Sequence, residues 1–230
     1  MEILDNPAWA ALTGPQAGLA ERHGRSARYP TDISPFAALA DPADPAAWRD
    51  LAELAGPGAE PLLAAPGLTG QPGWTHVGGA SGVQLVGTGV RGAADPEALV
   101  LTAADVPEIL DLVARTRPGP FGKRTPELGS YLGIRCAGAL VALAGERMRL
   151  DGYTEISAVC TDPAHRGAGL AARLIGAVVA VIRERGDIPF LHAANDNTGA
   201  IRLYEHLGFT IRTPIEFAAY RLDESTPRPD

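Results

Sequence analysis

The chain has 230 residues, 46% of them apolar and 20% charged, enough to bury the core of one large domain or two small ones. A formal net charge of −7 speaks against a nucleic-acid backbone or an anionic membrane as the main partner. Two cysteines, Cys136 and Cys160, exclude a disulfide scaffold, and no Cys/His cluster has zinc spacing.

In chain order, the acidic start Met1-Glu2-Ile3-Leu4-Asp5 lacks the bases of a signal peptide. Asp44 caps and Pro45 opens a helix with Trp48, Leu51, Ala52 and Ala55 on one face, and Gly56-Pro57-Gly58 stops it. Extended segments are expected at 61–65, 73–77 and 82–90, the last two joined by a hairpin over Gly78 to Gly82. Residues 91–97 read as a linker. A short strand at 99–101 precedes a helix with Asp105 and Glu108 as capping box and Val106, Ile109, Leu110 and Val113 as apolar stripe. Residues 117–129, with three prolines, form a loop or broken helix. Strands follow at 131–135, 139–146 and 154–161. The helix over 167–185 is apolar over much of its circumference and therefore buried. Its longest apolar run, Leu174 to Ile182, lies between Arg173 and Arg183, far short of the ~20 residues of a membrane span. A strand at 188–194, a helix at 199–207 capped by Gly208, and strands at 210–212 and 215–221 complete the pattern. The order is that of a mixed α/β domain with antiparallel meanders and one βαβ crossover. A soluble cytoplasmic protein is expected.

The chemistry centres on Asp162-Pro-Ala-His-Arg166-Gly167-Ala168-Gly169-Leu170-Ala171-Ala172, where a strand ends and the long helix begins. The two glycines allow close backbone approach, and the unpaired N–H groups of a helix start, with Arg166 beside them, suit a pyrophosphate. Gly167, Gly169 and Ala172 also satisfy a G-x-G-x-x-A dinucleotide fingerprint. That match is weak: five residues separate it from its strand, and the acid at the right spacing, Asp187, precedes the next strand instead of ending it. No P-loop exists. Taken alone, Tyr204 is a core tyrosine on the stripe Ala200, Leu203, Tyr204, Leu207, Cys160 a buried inert thiol, and His165 a solvated residue. His192 could face either the acceptor or the core.

The segment Arg166-x-x-Gly169-x-Ala171, the strand Glu155 to Pro163 before it, and Asn197, Ala200, Tyr204, Gly208 and Phe209 spaced as N-x-x-A-x-x-x-Y-x-x-x-G-F resemble the GNAT family of acyl-CoA-dependent N-acyltransferases. The resemblance covers residues 98–222. It implies the GNAT fold, a mostly antiparallel mixed sheet flanked by helices. A smaller α/β region at 1–90, open to being a degenerate partial GNAT-like unit, would precede it, and a tail at 223–230 would follow. It implies acetyl-CoA as acyl donor without a metal, and direct attack of a primary amine through a tetrahedral intermediate. It places the pantetheine arm along Val159, Cys160 and Thr161, the pyrophosphate on Arg166 to Ala171, and a cofactor contact at Asn197. It makes Tyr204 the acid that protonates the departing thiolate. Either Glu155 or Glu146 is the base, Glu155 being favoured. The loop from Arg117 to Arg124 matches the region that shapes the acceptor pocket. The partner is then a small-molecule or peptide amine, with no nucleic acid or membrane, and the protein a monomer or homodimer. A non-catalytic acyl-CoA-binding module and a nicotinamide or flavin oxidoreductase are the competing readings.

Overall fold

The computed structural model describes residues 2–223, so all but the first residue of the expected tail lies outside it. Helix α1 (Pro7–Thr13), capped by the Asn6 side chain, leads into a small antiparallel sheet of β1 (Glu21–His23), β2 (Ser26–Arg28) and β3 (Ala37–Leu39). Helix α2 (Pro45–Ala55) forms as its caps predict: Asp44 Oδ1 accepts from Ala46 N, and Trp48 and Leu51 are buried. Strand β4 (Leu62–Ala65) and strand β5 (Trp74–Val86) follow. The hairpin expected over Gly78 to Gly82 is absent: β5 is one strand of 13 residues. Gly79 and Gly82 serve close packing instead of a turn. Gly79 has φ +151, and a Cβ there would lie 1.9 Å from the Phe217 carbonyl oxygen of the neighbouring strand.

After residue 98 come β6 (Leu99–Val100), α3 (Val106–Thr116), β7 (Tyr131–Cys136), β8 (Ala139–Leu150), β9 (Tyr153–Thr161), α4 (Leu170–Glu184), β10 (Ile188–Ala194), α5 (Thr198–His206) and β11 (Thr210–Leu222). The capping box before α3 uses Thr102 with Asp105, not Asp105 with Glu108, and Ile109 and Leu112 are the buried positions. The two final strands are one, because a register shift between Ile211 and Thr213 absorbs Pro214 without ending the pairing to β5.

Eight strands form a single sheet in the order β4-β11-β5-β10-β9-β8-β7-β6. Strand β5 lies between β11 and β10, so the expected boundary at 91–97 falls between strands of one sheet. That segment runs along α4, where Ala93 N donates to Gly176 O and Arg173 pairs with Asp95 at 2.6 Å. One face of the sheet is covered by α4 and α5, whose Leu174, Ile175, Val178, Val179 and Ile182 pack on Ile156, Leu191 and Ala193. The other face is covered by α3 and by the first 65 residues. There Leu4, Ala8, Tyr29 and Phe36 pack on Met148, Phe190 and Ile215.

Candidate functional site

Strand β10 is parallel to β9, but the pairing stops at Leu191 and Ile156. The cause lies in β9: Ala158 adopts φ +55, and the β8–β9 register shifts beside it, which is a bulge that turns the strand away from its neighbour. From Ser157 and His192 onward the two strands splay. Their facing backbone edges border a cleft of about 990 Å³ that reaches the head of α4. Unpaired strand edges offer the ladder of donors and acceptors an extended ligand can use.

The cofactor-binding residues expected from sequence converge on this cleft. Val159, Cys160 and Thr161 form one wall, and Asn197 and Tyr204 stand opposite. Arg166, Gly167, Gly169, Leu170 and Ala171 close its end, while Ala168 within that loop does not line it. Gly169 is the N-cap of α4 with φ +73, and Gly167 has φ +82; nothing lies within 4 Å of either Cβ position, so the helix start is open. Arg166 Nε rests on the Thr161 carbonyl at 3.4 Å. Two buried polar atoms here, Thr161 Oγ1 and His165 Nδ1, have no hydrogen-bond partner among the described residues. Buried polar groups are rarely left so, and both suit an anionic or amide-bearing ligand in the cleft. His165, expected to be solvated, thus turns one nitrogen inward.

Asn197 caps α5 through Oδ1, which accepts from Ala200 N at 3.2 Å. Tyr204 is buried against Phe209, and burial pushes its phenol up to about 12. Cys160 lines the cleft, but burial raises its thiol, which keeps it protonated.

The two candidate carboxylates are separated. Glu146 is buried beside α4's end, accepting from Arg185 Nη2 at 2.8 Å, and does not border the cleft. Glu155 has no exposed surface and lies directly under the cleft floor. Arg147 holds both its oxygens, Nε to Oε2 at 2.8 Å and Nη2 to Oε1 at 2.5 Å, and His192 Nδ1 is 2.7 Å from Oε1. Burial alone would raise this carboxyl, but the charge of Arg147 and the hydrogen bonds from Arg147 and His192 outweigh it and hold Glu155 at about 2. Gln84 orients the imidazole. Its Oε1 accepts from Arg212 and its Nε2 donates to Leu4 O, so the same amide nitrogen faces His192 Nε2 as a donor at 3.1 Å. Nδ1 therefore carries the proton toward Glu155.

Arg147 and His192 themselves border the cleft, together with Phe36, Leu62 and Phe217. The Arg147 guanidinium lies 4.7 Å from the Phe36 ring centroid, and Phe217 meets both Phe36 and His192 edge-on. Phe36 and Leu62 of this wall come from the first 65 residues, and their place here was not foreseen. The only available signal was strand alternation, which puts Phe190 and His192 on the face opposite Leu191. Of the 117–124 loop, Arg117, Pro118, Gly119 and Pro120 border the cleft, whereas Phe121 packs on Tyr131 and Arg124 pairs with Asp32 and Glu127. Asp187, the acid a dinucleotide site would need, is buried and accepts from Thr154 Oγ1 at 2.7 Å. Among the described residues no helix is long and apolar enough to cross a membrane, and no cluster of His, Cys, Asp and Glu could hold a metal.

Residues 131–218 match the family model described as FR47-like protein. The chain is 38% identical to an acetyltransferase of the GNAT family from Novosphingobium aromaticivorans, with a TM-score of 0.89 over 97% of this chain and 100% of that one. It is 32% identical over 120 residues to the N-alpha-acetyltransferase RimI of Mycobacterium tuberculosis, covering 47% of this chain and 75% of that protein. An uncharacterised protein of Mycobacterium leprae is 32% identical over 211 residues, or 81% of this chain, which spans 55% of that longer relative. Fold, cleft and relatives agree, and the chain belongs to the GNAT family of N-acetyltransferases.

Proposed function

We propose that this protein transfers an acetyl group from acetyl-CoA to a primary amine by direct attack of the amine on the thioester. The observation that carries the reading is the wedge between β9 and β10, whose unpaired edges lead to the open start of α4. Acetyl-CoA supplies the activated acyl group. The backbone of Val159, Cys160 and Thr161 holds its arm by strand-like hydrogen bonds. The first N–H groups of α4, with Arg166, Gly167, Ala168, Gly169, Leu170 and Ala171 around them, take the pyrophosphate. Asn197 contacts the arm from the other wall.

Tyr204 stays protonated at neutral pH and donates a hydrogen bond to the sulfur as its bond to carbon breaks. The balance is simple: the amine gives up one proton, the C–N bond forms as C–S breaks, and the sulfur gains one proton. Glu155 takes part through Arg147 and His192, which it holds in place, since neither of its oxygens is free. The expected cytoplasmic location and the absence of a nucleic-acid partner go with this reading.

Calorimetric titration with acetyl-CoA and with NADH tests it. Acetyl-CoA should bind and NADH should not. Arg166→Ala should weaken acetyl-CoA roughly tenfold, the value of one charge-assisted contact. Thiol release from acetyl-CoA with an amine should follow. Failure of acetyl-CoA to bind overturns the assignment.

A further inference from the structure

We infer that the acceptor is a weakly basic amine bearing a flat apolar group, which enters uncharged against the wall of Phe36, Leu62 and Phe217. The inference rests on the transferase reading above and concerns the other substrate of that same cleft. Its first support is charge. The buried charges at this end are Arg147 and Glu155, and each neutralises the other. On the elements packed around it, the loop after α3 offers Arg117, the α4 loop offers Arg166 and His165, and β10 offers His192. Cys160 and Tyr204 are held protonated. Among the described lining residues the one carboxylate is Asp196, exposed where β10 turns into α5. An ammonium entering here would leave water and find no buried carboxylate in exchange, a penalty the neutral amine escapes. Near pH 7.5 an α-amino group, ordinarily titrating near 7.8, is neutral about 250-fold more often than an alkylamine near 10.4.

The second support is shape. The wall is aromatic and aliphatic, and the floor beside it carries only the small residues Gly79 and Ala80 of β5. Gly79 cannot be larger, because β11 passes too close. Ala80 is exposed into the open space, opposite Phe217 in register. The space above it fits a ring that packs against Phe217 and Leu62, which are both partly exposed, with the buried Phe36 behind them.

The test crosses basicity with apolar bulk in a thiol-release assay at pH 7.5 with acetyl-CoA and four probes. These are phenylalaninamide, alaninamide, phenethylamine and Nα-acetyl-lysinamide. Phenylalaninamide should exceed alaninamide in kcat/KM at least tenfold, and phenethylamine and the lysine amide on the order of a hundredfold. Ala80→Trp should raise the KM for phenylalaninamide at least tenfold while calorimetric acetyl-CoA affinity stays within twofold. Equal or better use of either strongly basic amine overturns the inference, as does an Ala80→Trp variant with unchanged KM. Acetyl-CoA binding without turnover of any probe also overturns it, and leaves the cofactor assignment standing. Loss of acetyl-CoA binding in the unmodified protein would instead strike the transferase reading.

Discussion

Glu155→Gln preserves the shape of the side chain and removes its charge, which isolates what the buried ion pair does. Glu155 has no exposed surface, and Arg147's side chain is only 11% exposed. The substitution leaves Arg147 inside the protein without a counter-charge. Breaking one side of a buried pair costs about 3–5 kcal/mol. The lowered carboxyl pKa gives a figure of the same order. Held at about 2 in place of the usual 4.5, it contributes about 3 kcal/mol at neutral pH. In a domain of this size that lowers Tm by about 6–20 °C. The sign in pH is fixed because the folded value lies below the unfolded one. The contribution is complete above pH 4.5 and disappears as pH falls toward 2. Thermal melts of both proteins from pH 7 to pH 2.5 should therefore differ most at neutral pH and converge in acid. Activity adds a second readout, since a positioning role lowers kcat without supplying an inflection. The kcat/KM profile above pH 5 should keep its shape in the variant. An unchanged Tm at pH 7, or a limb between pH 5 and 7 lost in the variant, would refute the reasoning; the second result would make Glu155 the base itself.

Tyr204→Phe removes a hydroxyl at the cleft and nothing from the core, so Tm should hold within about 2 °C while kcat falls about a hundredfold. Calorimetric acetyl-CoA affinity should stay within twofold, which separates loss of the proton donor from loss of binding. Gly79→Ala sets a Cβ 1.9 Å from the Phe217 carbonyl oxygen at φ +151, and should cost at least about 3 kcal/mol in denaturant unfolding. Ser81→Ala, two residues on and exposed, loses one surface hydrogen bond to Glu216 and should stay within about 0.5 kcal/mol.

Local chemistry explains which parts of this structure were legible in the sequence. Helix α2 carries its start and stop in Asp44-Pro45 and Gly56, strand β10 is bounded by Asp187 and Asn195, and α4 declares itself by its apolar circumference. The binding loop was readable because its function is written in backbone freedom and a helix terminus. Features set by distant neighbours were not. Gly79 and Gly82 look like part of a turn until Phe217 of β11 and Ala193 of β10 are known to leave no room for a Cβ. Pro214 looks like a break until a bulge at Arg212, two residues earlier on its own strand, is known to shift the register. Glu155 alternates as any exposed strand residue would. Its burial depends on Arg147 from β8 and His192 from β10, brought together only by sheet order. The acceptor wall depends on Phe36, more than a hundred positions from Arg147.

That wall bears on how the chain is built. If residues 1–90 and 98–222 were independent domains, each would unfold on its own; if β5 is integral to the sheet, they cannot. All three tryptophans, Trp9, Trp48 and Trp74, lie in the first part, while α3, α4 and α5 supply most of the helix. Tryptophan fluorescence and far-UV circular dichroism thus report on different parts of one molecule. Strand β5 pairs with β11 along its whole length and with β10 over Gly82 to Val86, so removing it would open the middle of the sheet and strip the cleft of its floor. Trp48 meets both Trp74 and Tyr220 edge-on across the same junction. Loss of the first part should therefore be loss of the second. The two signals should give coincident urea transitions with one midpoint and one slope. A fluorescence transition that precedes the dichroism change would mean that the first part folds apart from the sheet. The acceptor wall would then be an appended lid, not a built-in surface.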